Sequence, residues 1–371
     1  MADCDVAIVG AGPAGLLLAC VLAQHGTSVR VLERGQGRDD RSRAIGIHPP
    51  GLAALRAAGI EDAFRAEALT LSGGTVTSRG LVLAELDFAA GSEVLTLPQA
   101  RTHALLQGRL AELAPDAVRT GVTVHEVIPE GGAARALVAR DDREGEICAR
   151  VVVVADGVHS GIRDRLRVPW HRKPGRADYT MLDVVDAPPD DRARLHLEPD
   201  GVVESFPLPG RGRRWVIRER APAQRTAASF ARTVLARTGF DIGDTGDAEP
   251  QLFRAGQHSA GRLVHGAVVL LGDAAHEISP IGGQGMNLAW IAACRLAVAL
   301  TERSDRDAAL SAYERVSLRA AAVAQRRARF NMAMGAPMAR VPRSSRDAAI
   351  RLLARGASGR RMLGAMTMSG L

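Results

Sequence analysis

The amino-acid sequence predicts an α/β fold: a parallel-sheet domain, an inserted and mostly antiparallel β-sheet domain, and a helical C-terminal segment. Three observations predict it. An apolar, β-prone run at residues 5–9 leads through a glycine turn into a helical stretch at 16–24 and a second β-prone run at 28–32. That order is a βαβ unit, from which a parallel sheet follows. Two more apolar runs of buried-strand length, 151–155 and 267–271, end in the polar turns Asp156-Gly157 and Gly272-Asp273. Between them the texture changes to alternation and tight turns, at 74–88 and 203–220, where Pro209-Gly210-Arg211-Gly212 marks a hairpin loop.

These signals divide the chain. Residues 1–70, 98–172 and 262–300 form the parallel-sheet domain, 71–97 and 173–261 the insert, and 301–371 the helical segment, whose clearest helix is the Ala-rich stretch 308–330. Ligands of open α/β sheets bind outside the carboxyl ends of the strands, so the glycine turn and both polar turns face one site.

Composition excludes several classes. At 46% hydrophobic and 24% charged residues the chain has globular usage. Its four cysteines, Cys4, Cys20, Cys148 and Cys294, fit neither a disulfide framework nor a metal site, which points to a reducing, cytoplasmic compartment. The apolar stretch 6–23 follows Asp3 and Asp5 and holds three glycines and a proline, unlike a membrane span or a signal sequence, so a soluble protein is expected. The net charge of +7 is local: residues 301–371 carry 14 Arg against 5 acids, and +7 less that +9 leaves −2 on the rest. With only Tyr313 and Phe330 as aromatics there, the segment lacks a stacking platform for bases, and a solvated Arg-rich surface is expected rather than a nucleic-acid site.

Gly10-Ala11-Gly12-Pro13-Ala14-Gly15 is a G-x-G-x-x-G turn between strand and helix, with Glu33 ending the next strand 18 residues beyond Gly15. Gly10 permits the tight turn, Gly12 lets a pyrophosphate approach the backbone, and Gly15 lets helix and strand pack closely. Glu33, with Arg34 beside it, is placed at an adenosine ribose, where a carboxylate repels a 2′-phosphate. The motif indicates dinucleotide binding without separating FAD from NAD.

The remaining motifs carry a resemblance. The segment 155–163, with Asp156 and Arg163, and Gly272-Asp273-Ala274-Ala275-His276, followed by Pro280 and Gly282-Gly283-Gln284-Gly285-Met286-Asn287, resemble the second and third fingerprints of the FAD-dependent aromatic hydroxylases. These are the class A flavoprotein monooxygenases of the para-hydroxybenzoate hydroxylase fold. Arg43-Ala44-Ile45-Gly46-Ile47-His48 is similar to the family's flavin-proximal segment. The stretch 97–102, containing Gln99, is similar to a cofactor-contacting stretch of the polyketide and rifampicin hydroxylase branch. The likeness spans residues 5 to about 300. It departs at His103, where the branch often has Glu, and at Ala292, where the family tends to carry Asp. The length leaves no room for the thioredoxin-like C-terminal domain of some relatives.

The resemblance implies a Rossmann-like FAD-binding domain and an FAD-dependent monooxygenase. NADPH or NADH reduces the flavin, O2 gives a C4a-hydroperoxide, and an aromatic small molecule is hydroxylated. Baeyer-Villiger insertion, flavin-dependent double-bond reduction and a non-catalytic nucleotide-binding scaffold are the alternatives. It implies cofactor contacts at Gly10, Gly12, Ala14, Gly15, Glu33, Arg34, Arg43, Gln99, Asp156, Arg163, Asp273, Pro280, Gly283, Gly285, Met286 and Asn287. Arg43 positions the flavin, no side chain performs the oxygen transfer, and no metal takes part. Asp273 is expected at the ribityl chain, and the helix starting near Gly285 points its positive end at the flavin N1 and C2 carbonyl. His48, His103 and His276 are expected as caps or packing residues. With only 3% aromatics, a pocket lined by 74–88 and 203–220 has aliphatic walls and suits a bulky polycycle.

Overall fold

A computed structural model describes residues 2–36, 44–141, 143–185, 187–221, 225–243, 245–246, 248–279, 283–302, 305–354 and 368. The strands Cys4–Val9 and Val29–Glu33 flank the helix Pro13–Gln24, which starts at Pro13 rather than at 16 because a proline at the first helical position costs no hydrogen bond. Val268–Leu270, Arg143–Val154, Cys4–Val9, Val29–Glu33 and Val118–Thr120 run parallel in that order across the sheet. At the centre of this sheet Cys4–Val9, Val268–Leu270 and residues 151–154 are buried on both faces and read as apolar, Val-rich runs, whereas the edge strand Val118–Thr120 is largely exposed.

The run at 151–155 proves to be the end of a twelve-residue strand, Arg143–Val154. Its first half pairs antiparallel with Ala133–Arg140, which pairs in turn with Thr123–Glu130. This three-stranded extension escapes a search for apolar runs, because its residues are largely half-buried or exposed.

A second sheet has the order Gln251–Ala255, Ala177–Val184, Gly212–Arg218, Val203–Leu208, Arg192–His196, Gly73–Ser78, Leu81–Asp87. Every pairing is antiparallel except Arg192–His196 with Gly73–Ser78. Gly210 and Arg211 turn the central hairpin with positive φ. One face of this sheet buries Leu182, Val203, Trp215 and Ile217 against Phe230 and Val234 of the helix Ala227–Thr238.

The Ala-rich helix runs Arg306–Met334, its start set by Asp305, whose carboxylate accepts the N–H groups of Asp307 and Ala308. The Arg-rich segment is more than a solvated surface. Arg346, on the helix Arg340–Leu353, is 6% exposed and donates to the carbonyls of Met334 and Leu197, pinning that helix to the second sheet. Among the described residues no helix is long and apolar enough to cross a membrane.

Candidate cofactor site

The carboxyl ends of Cys4–Val9, Val29–Glu33 and Arg143–Val154 open onto a cavity of about 730 Å³. Gly10, Gly12, Glu33, Arg34, Gln99 and Asp156 all line it. Residues from four separate stretches of sequence thus meet around one space.

The glycine turn is held from both sides. Gly10 has φ +104, and a Cβ there would lie 2.4 Å from the Ala155 carbonyl oxygen, so only glycine lets the turn cross the end of the neighbouring strand. At Gly15 a Cβ would lie 2.2 Å from the Gly10 oxygen; its absence seats the helix against the turn. Gly12 is different, with no atom within 4 Å of where its Cβ would stand. Its backbone therefore faces open space at the start of a helix whose first turn holds no acidic residue, an arrangement that favours an anion.

Glu33 braces this turn. One carboxylate oxygen accepts the Ala11 N–H and the other the Gly35 N–H, each at 2.8 Å. Gln99, first residue of the helix Gln99–Leu113, accepts the Ala44 N–H at 3.2 Å. One turn further, the His103 Nε2 meets the Ala11 carbonyl at 2.9 Å, so this ring also lines the cavity and supports the glycine turn. Across the cavity, burial raises the Asp156 carboxyl above the usual range, opposed by Ser160 and by the charges of Arg163 and Arg34. Its Oδ1 is buried and has no hydrogen-bond partner among the described residues. A buried acceptor of that kind calls for a donor from a bound molecule.

Arg163 lies behind this wall rather than in it. Its guanidinium donates to the Val158 carbonyl, reaches the Ala274 carbonyl at 3.5 Å and sits 3.8 Å above the Trp170 ring. It does not line the cavity; it fixes the two polar turns to each other. Arg165, two residues on, faces the space instead and has no distinguishing sequence signal.

The other predicted residues cluster about the helix Gln284–Thr301. Gly283 caps it with φ +64, and a Cβ there would come within 3.3 Å of the His48 ring. Asn287 is a bracket: its Oδ1 accepts the His48 N–H at 2.9 Å, and its Nδ2 donates to the carbonyls of Gly46 and Gly283 at 2.9 and 2.8 Å. Gly51 accommodates it, since a Cβ there would stand 2.0 Å from that Oδ1, a requirement no motif signals. Gly285 stays open, Met286 is half-buried against the main core, and Asp273 is exposed in the short turn Gly272–Ala274. Ala14 has a packing role, because a Cβ on Gly272 would lie 3.1 Å from its methyl group. His276 is buried, donates toward the Gly272 carbonyl at 2.8 Å and is held neutral by burial. Arg43, Pro280 and Gly282 lie outside the described residues. No cluster of metal-ligating side chains occurs among the described residues.

The family model described as "FAD binding domain" matches residues 3–330. The chain belongs to that family. It is 33% identical over 304 residues to a 6-methylpretetramide 4-monooxygenase of Streptomyces rimosus, covering 76% of this chain and 53% of that protein. It is 31% identical over 341 residues to a kynurenine 3-monooxygenase of Xanthomonas campestris pv. campestris, covering 84% and 74%. An anhydrotetracycline hydroxylase structure from Streptomyces rimosus superposes with a TM-score of 0.78 at 28% identity, over 99% of this chain and 76% of that one. The architecture is thus the para-hydroxybenzoate hydroxylase fold expected from the three fingerprints. The chain spans 53% to 60% of the length of three tetracycline-type relatives it matches and 73% of a fourth. The cavity fits the adenosine diphosphate half of FAD: the open backbone at Gly12 and the unsatisfied Asp156 oxygen are both features that a bound nucleotide would complete.

Proposed function

We propose that this chain is an FAD-dependent monooxygenase that uses NADPH or NADH and O2 to hydroxylate a bulky aromatic or polycyclic small molecule. The observation that carries the reading is the cavity framed by Gly12, Glu33 and Asp156, in a chain whose FAD-binding-domain match runs from residue 3 to 330. When bound, FAD supplies acceptance of two electrons from the nicotinamide and activation of O2. The chain supplies position.

In this reading Gly10, Gly12 and the first turn of the helix Pro13–Gln24 hold the diphosphate, with Ala14 and Gly15 setting that helix. Glu33 and Arg34 meet the adenosine ribose, while Gln99 and Asp156 close the cavity around the linker. Arg163 acts indirectly, by fixing the turn that carries Asp156. Asp273 faces the ribityl chain, and the start of the helix Gln284–Thr301, framed by Gly283, Gly285, Met286 and Asn287, directs its positive end at the flavin ring. Pro280 and Arg43 are assigned to the flavin on the resemblance alone. Residues 1–70, 98–172 and 262–300 form the cofactor domain, 71–97 and 173–261 the substrate domain, and 301–371 the helical segment; the enzyme works in the cytoplasm. Relatives named for tetracycline intermediates and for kynurenine support an aromatic substrate.

The test is to reconstitute the purified chain with FAD and follow NADPH and O2 consumption with and without polycyclic phenols. Retained FAD and substrate-stimulated consumption of both are expected. A chain that takes up no FAD overturns the proposal.

A further inference from the structure

Glu204 and Tyr179 are among the buried polar groups of the second sheet, outside the cofactor cavity. Glu204 is 4% exposed, and Tyr179 is fully buried. Burial is the one influence acting on the Glu204 carboxyl, with no hydrogen bond or neighbouring charge beside it, and the Tyr179 hydroxyl is buried with no hydrogen-bond partner among the described residues. Register puts both on one face. Glu204 lies opposite Val216 and Leu195, Val216 lies opposite Met181, and Met181 is two residues from Tyr179. Cross-strand partners and i, i+2 neighbours share a face. This is the face turned away from the helix Ala227–Thr238, whose contacts are with Leu182, Val203, Trp215 and Ile217.

The surroundings are apolar. Tyr179, Met181 and Val216 belong to a cluster with Met332 of the helix Arg306–Met334, and Phe253 stacks on the Tyr179 ring at 5.6 Å. Arg218, the nearest cation to Tyr179 along this face, donates to the Met332 carbonyl instead. A buried carboxyl and a buried phenol left without partners on an apolar sheet face destabilise the fold unless a ligand satisfies them.

We propose that Glu204 and Tyr179 form the polar end of a substrate subsite that takes a phenolic or enolic hydroxyl of a polycyclic ligand. The proposal rests on the monooxygenase reading above and names the anchor within its substrate domain. A hydroxyl is the group that fits, because it donates to the Glu204 carboxylate while accepting from the Tyr179 O–H. A ligand carboxylate would face Glu204 with like charge, and an ammonium would leave the Tyr179 O–H without an acceptor. Burial lifts the Glu204 carboxyl to about 7, and a hydroxyl can serve both of its protonation states. Leu195, Met181 and Val216 then supply the aliphatic wall for the rings.

Calorimetric titration of the full chain with 2-naphthol and 9-phenanthrol, each beside its O-methyl ether, tests this. The wild type should bind at least one phenol about tenfold or more tighter than its ether. Tyr179→Phe and Glu204→Leu should bring that ratio close to one, with Glu204→Gln as the isosteric variant if the leucine variant misfolds. FAD content should not change, and Glu204→Leu should melt higher than wild type, an effect that a purely structural carboxylate would not show. A wild-type ratio near one, or a preference that survives in the variants, overturns the anchor. Binding heats are read with or without FAD, so failure of the anchor is distinct from failure of the monooxygenase reading, which the FAD content and NADPH-driven flavin reduction of the same preparation test separately.

Discussion

The indole N–H of Trp290 donates to the carbonyl oxygen of Pro13 across 3.0 Å. Trp290 is fully buried in the helix Gln284–Thr301, and Pro13 opens the helix that rises from the glycine turn. One hydrogen bond therefore couples the proposed diphosphate end of the site to the proposed flavin end. Trp290→Phe removes the donor and leaves a smaller ring beside Phe64, whose centroid lies 6.2 Å away in an edge-on arrangement. A stability loss of about 1–3 kcal/mol is expected by denaturant titration. FAD affinity should fall severalfold in the same variant.

The two inner glycines separate folding from binding. Gly12→Ala meets no atom within 4 Å and keeps an ordinary φ of −70, so its melting temperature should match wild type. Its methyl group would project where the diphosphate is proposed to lie, and FAD affinity should drop at least about tenfold. Gly15→Ala drives a methyl to 2.2 Å from a backbone oxygen and should cost about 2 kcal/mol or more of stability. Equilibrium dialysis and thermal melts on both variants check the contrast.

Asn287 gives a prediction confined to the flavin end. Asn287→Ala breaks three buried or part-buried hydrogen bonds, two that join the 46–48 segment to the start of its helix and one to the Gly283 carbonyl at that start. Flavin reduction by NADPH, followed by stopped flow, should slow by an order of magnitude or more, while ADP binding to the glycine turn stays near wild type. Gly51→Ala should reproduce the effect by displacing the Asn287 side chain.

The βαβ opening, the polar turns and the hairpin at 203–218 were legible in the sequence because each joins an apolar strand to a glycine with a defined backbone task. The strand Thr123–Glu130 and its partner were not, since half-exposed strands carry weak periodicity. At the candidate site the backbone-determined positions, Gly10, Gly12 and Gly15, are readable from their spacing. Gly51 and Trp290 are not, because their roles depend on contacts with Asn287 and Pro13, at least 236 residues away in sequence, and for His103 the supporting role was expected but not its partner Ala11. Glu204 shows a different limit. It lies in the stretch read as an aliphatic wall with few polar anchors, and only the strand register puts its carboxyl and the Tyr179 hydroxyl on one face.

The Glu204 carboxyl makes stability depend on pH with a definite sign. Its folded value, near 7, lies above the ordinary 4.5, so the folded state binds the proton more tightly than the unfolded one. The contribution is fully present below about 4.5 and is lost as pH rises through about 7. Relative to Glu204→Gln, the wild type should therefore lose roughly 3 kcal/mol or less between those limits. Paired urea titrations across that range, without substrate, measure the difference, and a flat difference would contradict the assignment.

The proposed flavin chemistry places one atom of O2 on an aromatic ring. The direct measurement is mass spectrometry of the product formed from a polycyclic phenol by the FAD-loaded chain with NADPH under 18O2. A product carrying one 18O atom, formed with stoichiometric NADPH oxidation, is the expected result. Oxygen derived from water, or NADPH oxidation that yields only hydrogen peroxide with every phenol offered, would contradict it.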